Sequence, residues 1–66
     1  MNDMDIKLVC EKAIIQETGL KLATVFGDVS LKPGFKIGQK EVVGYDENDR
    51  MEGVRYEDIL SAETTT

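Results

Sequence analysis

The fold of this chain is decided by residues 29–37, VSLKPGFKI, where two short alternating segments flank a proline–glycine pair. Pro33 fixes the φ that the second position of a tight turn requires, and Gly34 accepts the positive φ of a type II turn at the third. Type II turns are not favoured in two-residue hairpins. We therefore interpret this turn as a corner between two sheets.

Short β-rich runs continue outward from this corner and are separated by glycines. The runs span residues 20–26, 29–31, 35–37, 41–45 and 51–56. Short strands at regular spacing, with turn residues between them, predict a small antiparallel β-meander or partly open barrel of about three to five strands. The polar sequence DEND, residues 46–49, predicts a hairpin whose tip lies in solvent.

The segment before the first glycine has the pattern of a helix. Asn2 or Asp3 is a suitable N-cap for a helix over residues 3–18, and Gly19 is placed to end it in a left-handed conformation. One apolar stripe is predicted to face the core: Ile6, Val9, Cys10, Ala13 and Ile14. The alternation of Ile6, Leu8 and Cys10 also fits a strand, so that alternative stays open. The predicted class is α+β, with an N-terminal helix followed by antiparallel strands.

The chain has the length of one small domain. Its 66 residues are 41% hydrophobic, which favours a folded core, although a domain of this size has only marginal stability. The bulkiest predicted core members are Phe26, Phe35, Tyr45 and Tyr56. We expect a single domain over residues 1–60. The polar tail 61–66 has nothing to bury, and we expect it to fray.

The composition excludes most catalytic and metal chemistry. The chain has no histidine and one cysteine, so Cys–His zinc sites and histidine-based triads are impossible. Cys10, on the predicted apolar stripe, is expected to be buried and inert. A calcium loop starting at Asp46 fails because Arg50 and Met51 occupy the fifth and sixth positions. We therefore expect no enzyme, no cofactor and no metal.

The net charge of −5 is unevenly distributed. Residues 1–40 contain six lysines and five acids, whereas residues 41–66 contain two arginines and eight acids. An acidic surface argues against direct nucleic-acid binding, because phosphates repel carboxylates. No apolar run has the length of a membrane span, and the single cysteine cannot form an internal disulfide. We expect a cytoplasmic protein without membrane association.

These exclusions leave binding as the expected function. We expect a small non-enzymatic protein-binding module, such as an inhibitor, adaptor or assembly factor, which docks on a basic surface of another protein. The expected contact residues belong to the acidic hairpin and its flanks: Tyr45, Asp46, Glu47, Asp49, Arg50, Glu52 and Tyr56. Two alternatives remain, an acidic nucleic-acid mimic that blocks a DNA-binding protein, and a structural or virion assembly subunit. The marginal core and short strands also favour a homo-oligomer.

Overall fold

A computed structural model describes residues 2–65 and confirms the α+β class. Among these residues, one α-helix precedes six strands and a short 3₁₀ turn. The bounds are α1 Asp3–Gln16, β1 Gly19–Thr24, β2 Gly27–Leu31, β3 Lys36–Ile37, β4 Glu41–Tyr45, β5 Met51–Arg55, the 3₁₀ turn Tyr56–Asp58, and β6 Ile59–Thr65. The strand count exceeds the predicted range because the C-terminal residues form a strand of their own.

Helix α1 is confirmed, and its ends show how the local sequence starts and stops it. The Asn2 side chain accepts a hydrogen bond from the Asp5 amide at 2.9 Å, as the predicted N-cap requires. The left-handed residue at the C-terminus is Glu17, with φ 57°, and not Gly19 as predicted. Gly19 begins β1 instead. A Cβ there would lie 2.8 Å from the Leu31 carbonyl oxygen, so close packing accounts for the glycine.

The strands form two antiparallel sheets of three strands each. The first has the order β2-β1-β6 and the second has the order β3-β4-β5. Pro33 and Gly34 connect β2 to β3, so the predicted corner between sheets is confirmed, and Gly34 has φ 101°. The amide of Lys32 also donates to the Tyr45 carbonyl at 2.8 Å, which ties the corner to β4. The chain therefore passes from the first sheet to the second at this corner, and it returns through the 3₁₀ turn that connects β5 to β6.

The C-terminal residues belong to a sheet, although we expected them to form a frayed tail. Residues 61–65 continue β6 and pair with β1 in an antiparallel register that matches Leu22 with Ala62 and Gly19 with Thr65. This pairing occupies the edge of β1 that β2 leaves open, and Ala62 packs against the core. Long-range pairing therefore orders a segment whose own composition has little to bury. Thr66 lies outside the described residues.

The core lies between α1 and the inner faces of both sheets. It is built from Ile6, Cys10, Ala13, Leu20, Leu22, Leu31, Phe35, Val42, Val54, Tyr56 and Ile59. The prediction that Phe26 and Tyr45 belong to the core is wrong, because both side chains are exposed. Phe26 lies in the turn between β1 and β2, and Tyr45 lies on the outward side of β4 next to buried Gly44. Ile14, predicted to face the core, is also largely exposed.

Candidate protein-binding surface

The predicted acidic hairpin is present and consists of β4, β5 and the turn between them. The register pairs Tyr45 with Met51, Gly44 with Glu52 and Val42 with Val54. At the turn, the Asp46 amide donates to the Arg50 carbonyl at 2.9 Å and the Asp49 amide donates to the Asp46 carbonyl at 3.1 Å. Asp46, Glu47, Asp49 and Arg50 therefore lie on one short, hydrogen-bonded loop, and Glu52 follows on β5.

The carboxylate of Asp46 organises this loop. Its Oδ1 accepts hydrogen bonds from the Asn48 amide at 2.8 Å and the Arg50 amide at 3.0 Å. An aspartate that accepts from amides two residues further on forms an Asx turn, which reduces the number of conformations of the loop. Asp46 therefore acts in this turn as a structural residue, and its half-buried side chain is less accessible than those of its loop neighbours Glu47 and Asp49.

Asp49 is also engaged within the molecule. It adopts a left-handed conformation with φ 62°, which aspartate tolerates better than most residues. Its carboxylate forms an ion pair with Lys32, the residue that precedes the Pro33–Gly34 corner. Both side chains are exposed, so the pair contributes little to stability but reduces the net charge at the tip. The acidity available to a partner therefore comes mainly from other residues.

The outer face of the hairpin carries two large exposed apolar side chains. Tyr45 is 52% exposed and Met51 is 66% exposed, and the two residues are directly opposite each other across β4 and β5. Their neighbours on this face are half-buried Val43 and exposed Gly53, also a cross-strand pair. Cross-strand partners lie on the same side of a sheet. The four residues therefore form one surface, hereafter the outer face.

The acids Asp46, Glu47 and Glu52 lie around a different surface. Together with Asp28 of β2 they line a shallow, open depression of about 200 Å³. The remaining lining residues are Val29, Ser30 and Asn48, so no lysine or arginine is among them. We name this surface the acidic depression. Asp28 was not among the predicted site residues, because it lies two strands before the hairpin and carries no local signal.

Tyr56 does not belong to either surface. The 3₁₀ turn that follows β5 directs it into the core, where its hydroxyl donates to the Gly38 carbonyl at 2.6 Å. Its ring lies 5.3 Å from the Lys7 ammonium, a cation–π geometry. Burial raises the pKa of Tyr56, and the charges of Cys10, Asp3 and Glu11 raise it further. Tyr56 is therefore packed in the core and presents little surface to a partner.

Within residues 2–65, the side chains are not arranged for nucleophilic catalysis or for metal binding. Cys10 is fully buried, and burial raises the pKa of its thiol to about 11, so the reactive thiolate is scarce near neutral pH. No group of three or more Cys, Asp or Glu side chains among these residues is arranged to hold a metal ion.

A larger open depression of about 680 Å³ lies beside Tyr56. Its lining includes two cationic residues, Lys40 and Arg55, and three acidic residues, Asp3, Glu41 and Glu57.

Comparison with known proteins identifies no relative of this chain. No protein-family model, no curated protein and no solved structure matches the chain. Across residues 2–65, no helix combines the length and the apolar character needed to cross a membrane. The outer face and the acidic depression are therefore the candidate functional surfaces of this chain.

Proposed function

We propose that this chain is a non-enzymatic module that binds another protein through the β4–β5 hairpin. The observation that carries the proposal is the exposed pair Tyr45 and Met51 on an ordered hairpin. Tyrosine and methionine are both enriched at protein interfaces, where they lose water on binding and fill pockets of the partner. A loop fixed by Asp46 needs little further ordering when it binds, which favours affinity.

The acids of the hairpin indicate the charge of the partner. Glu47 and Glu52, with Asp28, leave an uncompensated negative field around the acidic depression, next to the tip that carries Arg50. Such a field accelerates encounter with a basic surface and discourages acidic ones. We therefore propose a partner with a basic surface, bound as by an inhibitor, adaptor or assembly factor. We expect this partner in the cytoplasm, since the chain contains one buried free cysteine.

The direct test is site-specific photo-crosslinking from the full chain. A photo-reactive phenylalanine analogue replaces Tyr45 in one bait and Gln39, an exposed loop residue at the base of the hairpin, opposite its tip, in the control bait. Mass spectrometry then identifies the captured proteins. We expect one protein to be captured from position 45 and not from position 39. Equal capture from both positions, or none from position 45, would contradict the proposal.

Kinetic measurements on the captured partner separate contact from electrostatic attraction. We expect Tyr45→Ala to raise the dissociation rate by about tenfold or more, as loss of an interface anchor does. Glu47→Lys should lower the association rate at low salt and have little effect at high salt. Glu63→Lys, a matched exposed acid on β6, is the control. Association that is unchanged by Glu47→Lys would remove the electrostatic part of the proposal.

The alternative of nucleic-acid mimicry has a distinct outcome in the same experiment. A partner that binds DNA would release this chain when duplex DNA is added, and the apparent affinity would depend steeply on salt. A protein-binding module of the kind proposed is not displaced by DNA. Displacement would therefore replace the proposed function with mimicry, while retention of the complex would support it.

A further inference from the structure

Helix α1 carries two apolar stripes on opposite sides. Ile6, Cys10 and Ala13, spaced by four and then three residues, face the core and are fully buried. Met4, Leu8 and Ile15 lie on the opposite side and are all exposed. A surface helix normally places polar residues on the side that faces solvent. The outer stripe is therefore unusual, and the packing of this chain on its own leaves it uncovered.

The outer stripe has the spacing of a helix–helix contact. Residues 4, 8, 11 and 15 alternate in steps of four and three, which is the spacing of the a and d positions in paired helices. Three of the four are Met4, Leu8 and Ile15, and the fourth is Glu11. Asp5 and Lys12 lie along one flank of this stripe, and Lys7 and Ile14 lie along the other. The occupant of such a stripe is expected to be another helix.

We propose that this occupant is the α1 helix of a second copy, packed antiparallel in a two-fold symmetric dimer. In this arrangement Met4 of one protomer packs on Ile15 of its partner and Leu8 packs against the stem of Glu11, with both contacts repeated by symmetry. Asp5 of each protomer then lies beside Lys12 of the other, which gives two opposite-charge pairs. Helix dipoles are also opposed in an antiparallel pair.

A parallel pair of the same helices is disfavoured by charge. It would place Glu11 against Glu11 in the centre of the contact and Lys7 beside Lys12 on both flanks. Like charges in such positions determine which orientation two helices choose. The charge complementarity of Asp5 and Lys12 therefore selects the antiparallel dimer. A contact with few apolar side chains per protomer falls among the small interfaces, so we expect a weak dimer.

Sedimentation equilibrium over a range of protein concentrations tests the dimer. We expect the wild-type chain to sediment increasingly as a dimer as its concentration rises, and Leu8→Lys and Ile15→Lys to remain monomeric. The chain offers closely matched controls: Leu8 and Val25 are 57% and 56% exposed, and Ile15 and Phe26 are 81% and 84% exposed. Val25→Lys and Phe26→Lys should dimerise as the wild type does. These surface substitutions are expected to leave the fold intact, which circular dichroism checks.

The orientation is tested by charge exchange and by disulfide trapping. Lys12→Asp alone should weaken the dimer, and Asp5→Lys/Lys12→Asp should restore it. A mixture of Met4→Cys and Ile15→Cys chains should form a mixed disulfide dimer, while each chain alone should form none. Buried Cys10 does not compete in this reaction. A disulfide between two Met4→Cys chains would indicate a parallel pair and overturn the arrangement.

Other outcomes also overturn the proposal. A wild-type chain that is monomeric at every concentration would show that the stripe is covered by a different partner or by none. A dimer that survives Leu8→Lys but is lost in Phe26→Lys would place the contact at the β1–β2 turn. The dimer does not depend on the hairpin, so Tyr45→Ala should leave it unchanged. Failure of the proposed function and failure of this proposal are therefore distinguishable.

Discussion

The N-terminal helix and the β4–β5 hairpin both pack one face on the core and present apolar side chains on the other, but their charges differ. On α1 the exposed stripe is flanked by both signs, with Asp5 and Glu11 near Lys7 and Lys12. On the hairpin the acids dominate, since Lys32 neutralises Asp49 alone. A strongly acidic surface repels its own copy, whereas a balanced one does not. The comparison therefore suggests self-association through α1 and binding of a basic partner through the hairpin.

The largest expected loss of stability comes from a substitution on the core side of the hairpin. A Cβ at Gly44 would lie 2.6 Å from the Cβ and 3.2 Å from the Cα of Phe35, whose side chain is buried. Gly44→Ala must therefore shift the backbone of β4 or of the segment after the corner. We expect it to lower the free energy of unfolding by about 3 kcal/mol, at the upper end of overpacking costs. Urea unfolding followed by circular dichroism measures the loss.

Gly53→Ala on the facing strand is the matched control for this prediction. A Cβ there would meet Glu41 Oε2 at 3.6 Å and Val43 Cγ2 at 3.9 Å, which are ordinary contacts. The expected change is within about 0.5 kcal/mol, as for most surface substitutions. If Gly53→Ala proved as costly as Gly44→Ala, the loss would reflect strand propensity and not the contact with Phe35.

Local chemistry made much of the fold predictable from the sequence. The Pro33–Gly34 corner follows from the φ preferences of two adjacent residues, and the hairpin tip follows from the polar run that begins at Asp46. Both features are confirmed because nothing distant competes with them. The helix is confirmed for the same reason, since Asn2 caps it and its inner stripe has helical spacing.

Long-range packing accounts for what the sequence did not predict. The strand over residues 59–65 exists because β1 offers it an open edge, and no residue in the segment indicates that edge. Tyr45 points outward and Tyr56 inward because of the register of β5 and the turn after it. Asp28 joins the acidic depression only because β2 approaches the hairpin. Each miss depends on how elements that are distant in the sequence pack against one another.

The next largest expected loss of stability concerns Cys10, on the core side of α1, and it depends on pH. Burial raises the pKa of Cys10 from its ordinary value of 9.0 to about 11, so the folded state keeps the thiol proton more tightly than the unfolded state does. The resulting stability is fully present below pH 9 and is lost as the pH rises toward 11. We expect a loss of roughly 1–2 kcal/mol between neutral pH and pH 10. Urea midpoints across this range measure it.

Cys10→Ala separates this loss from other alkaline effects. Tyr56, whose pKa is also raised by burial, is present in both proteins. The variant is less stable at neutral pH by about 1 kcal/mol because a small cavity replaces the sulfur. Its stability should nevertheless fall less steeply between pH 8 and 10 than that of the wild type. Parallel pH profiles for the two proteins would show that the thiol does not titrate in this range.

The smallest effect concerns the tip of the hairpin. Asp46→Ala removes the acceptor for the Asn48 and Arg50 amides, and we expect a loss of about 1 kcal/mol with faster hydrogen exchange at both amides. Asp46→Asn keeps a carbonyl oxygen in the same place and should retain most of the stability. Glu47→Ala, the neighbouring exposed acid, should change neither quantity. If Glu47→Ala matched Asp46→Ala, the loop would be held by its charge and not by the Asx turn. If the prediction holds, Asp46 orders the loop, and Glu47 and Glu52 are available for a partner.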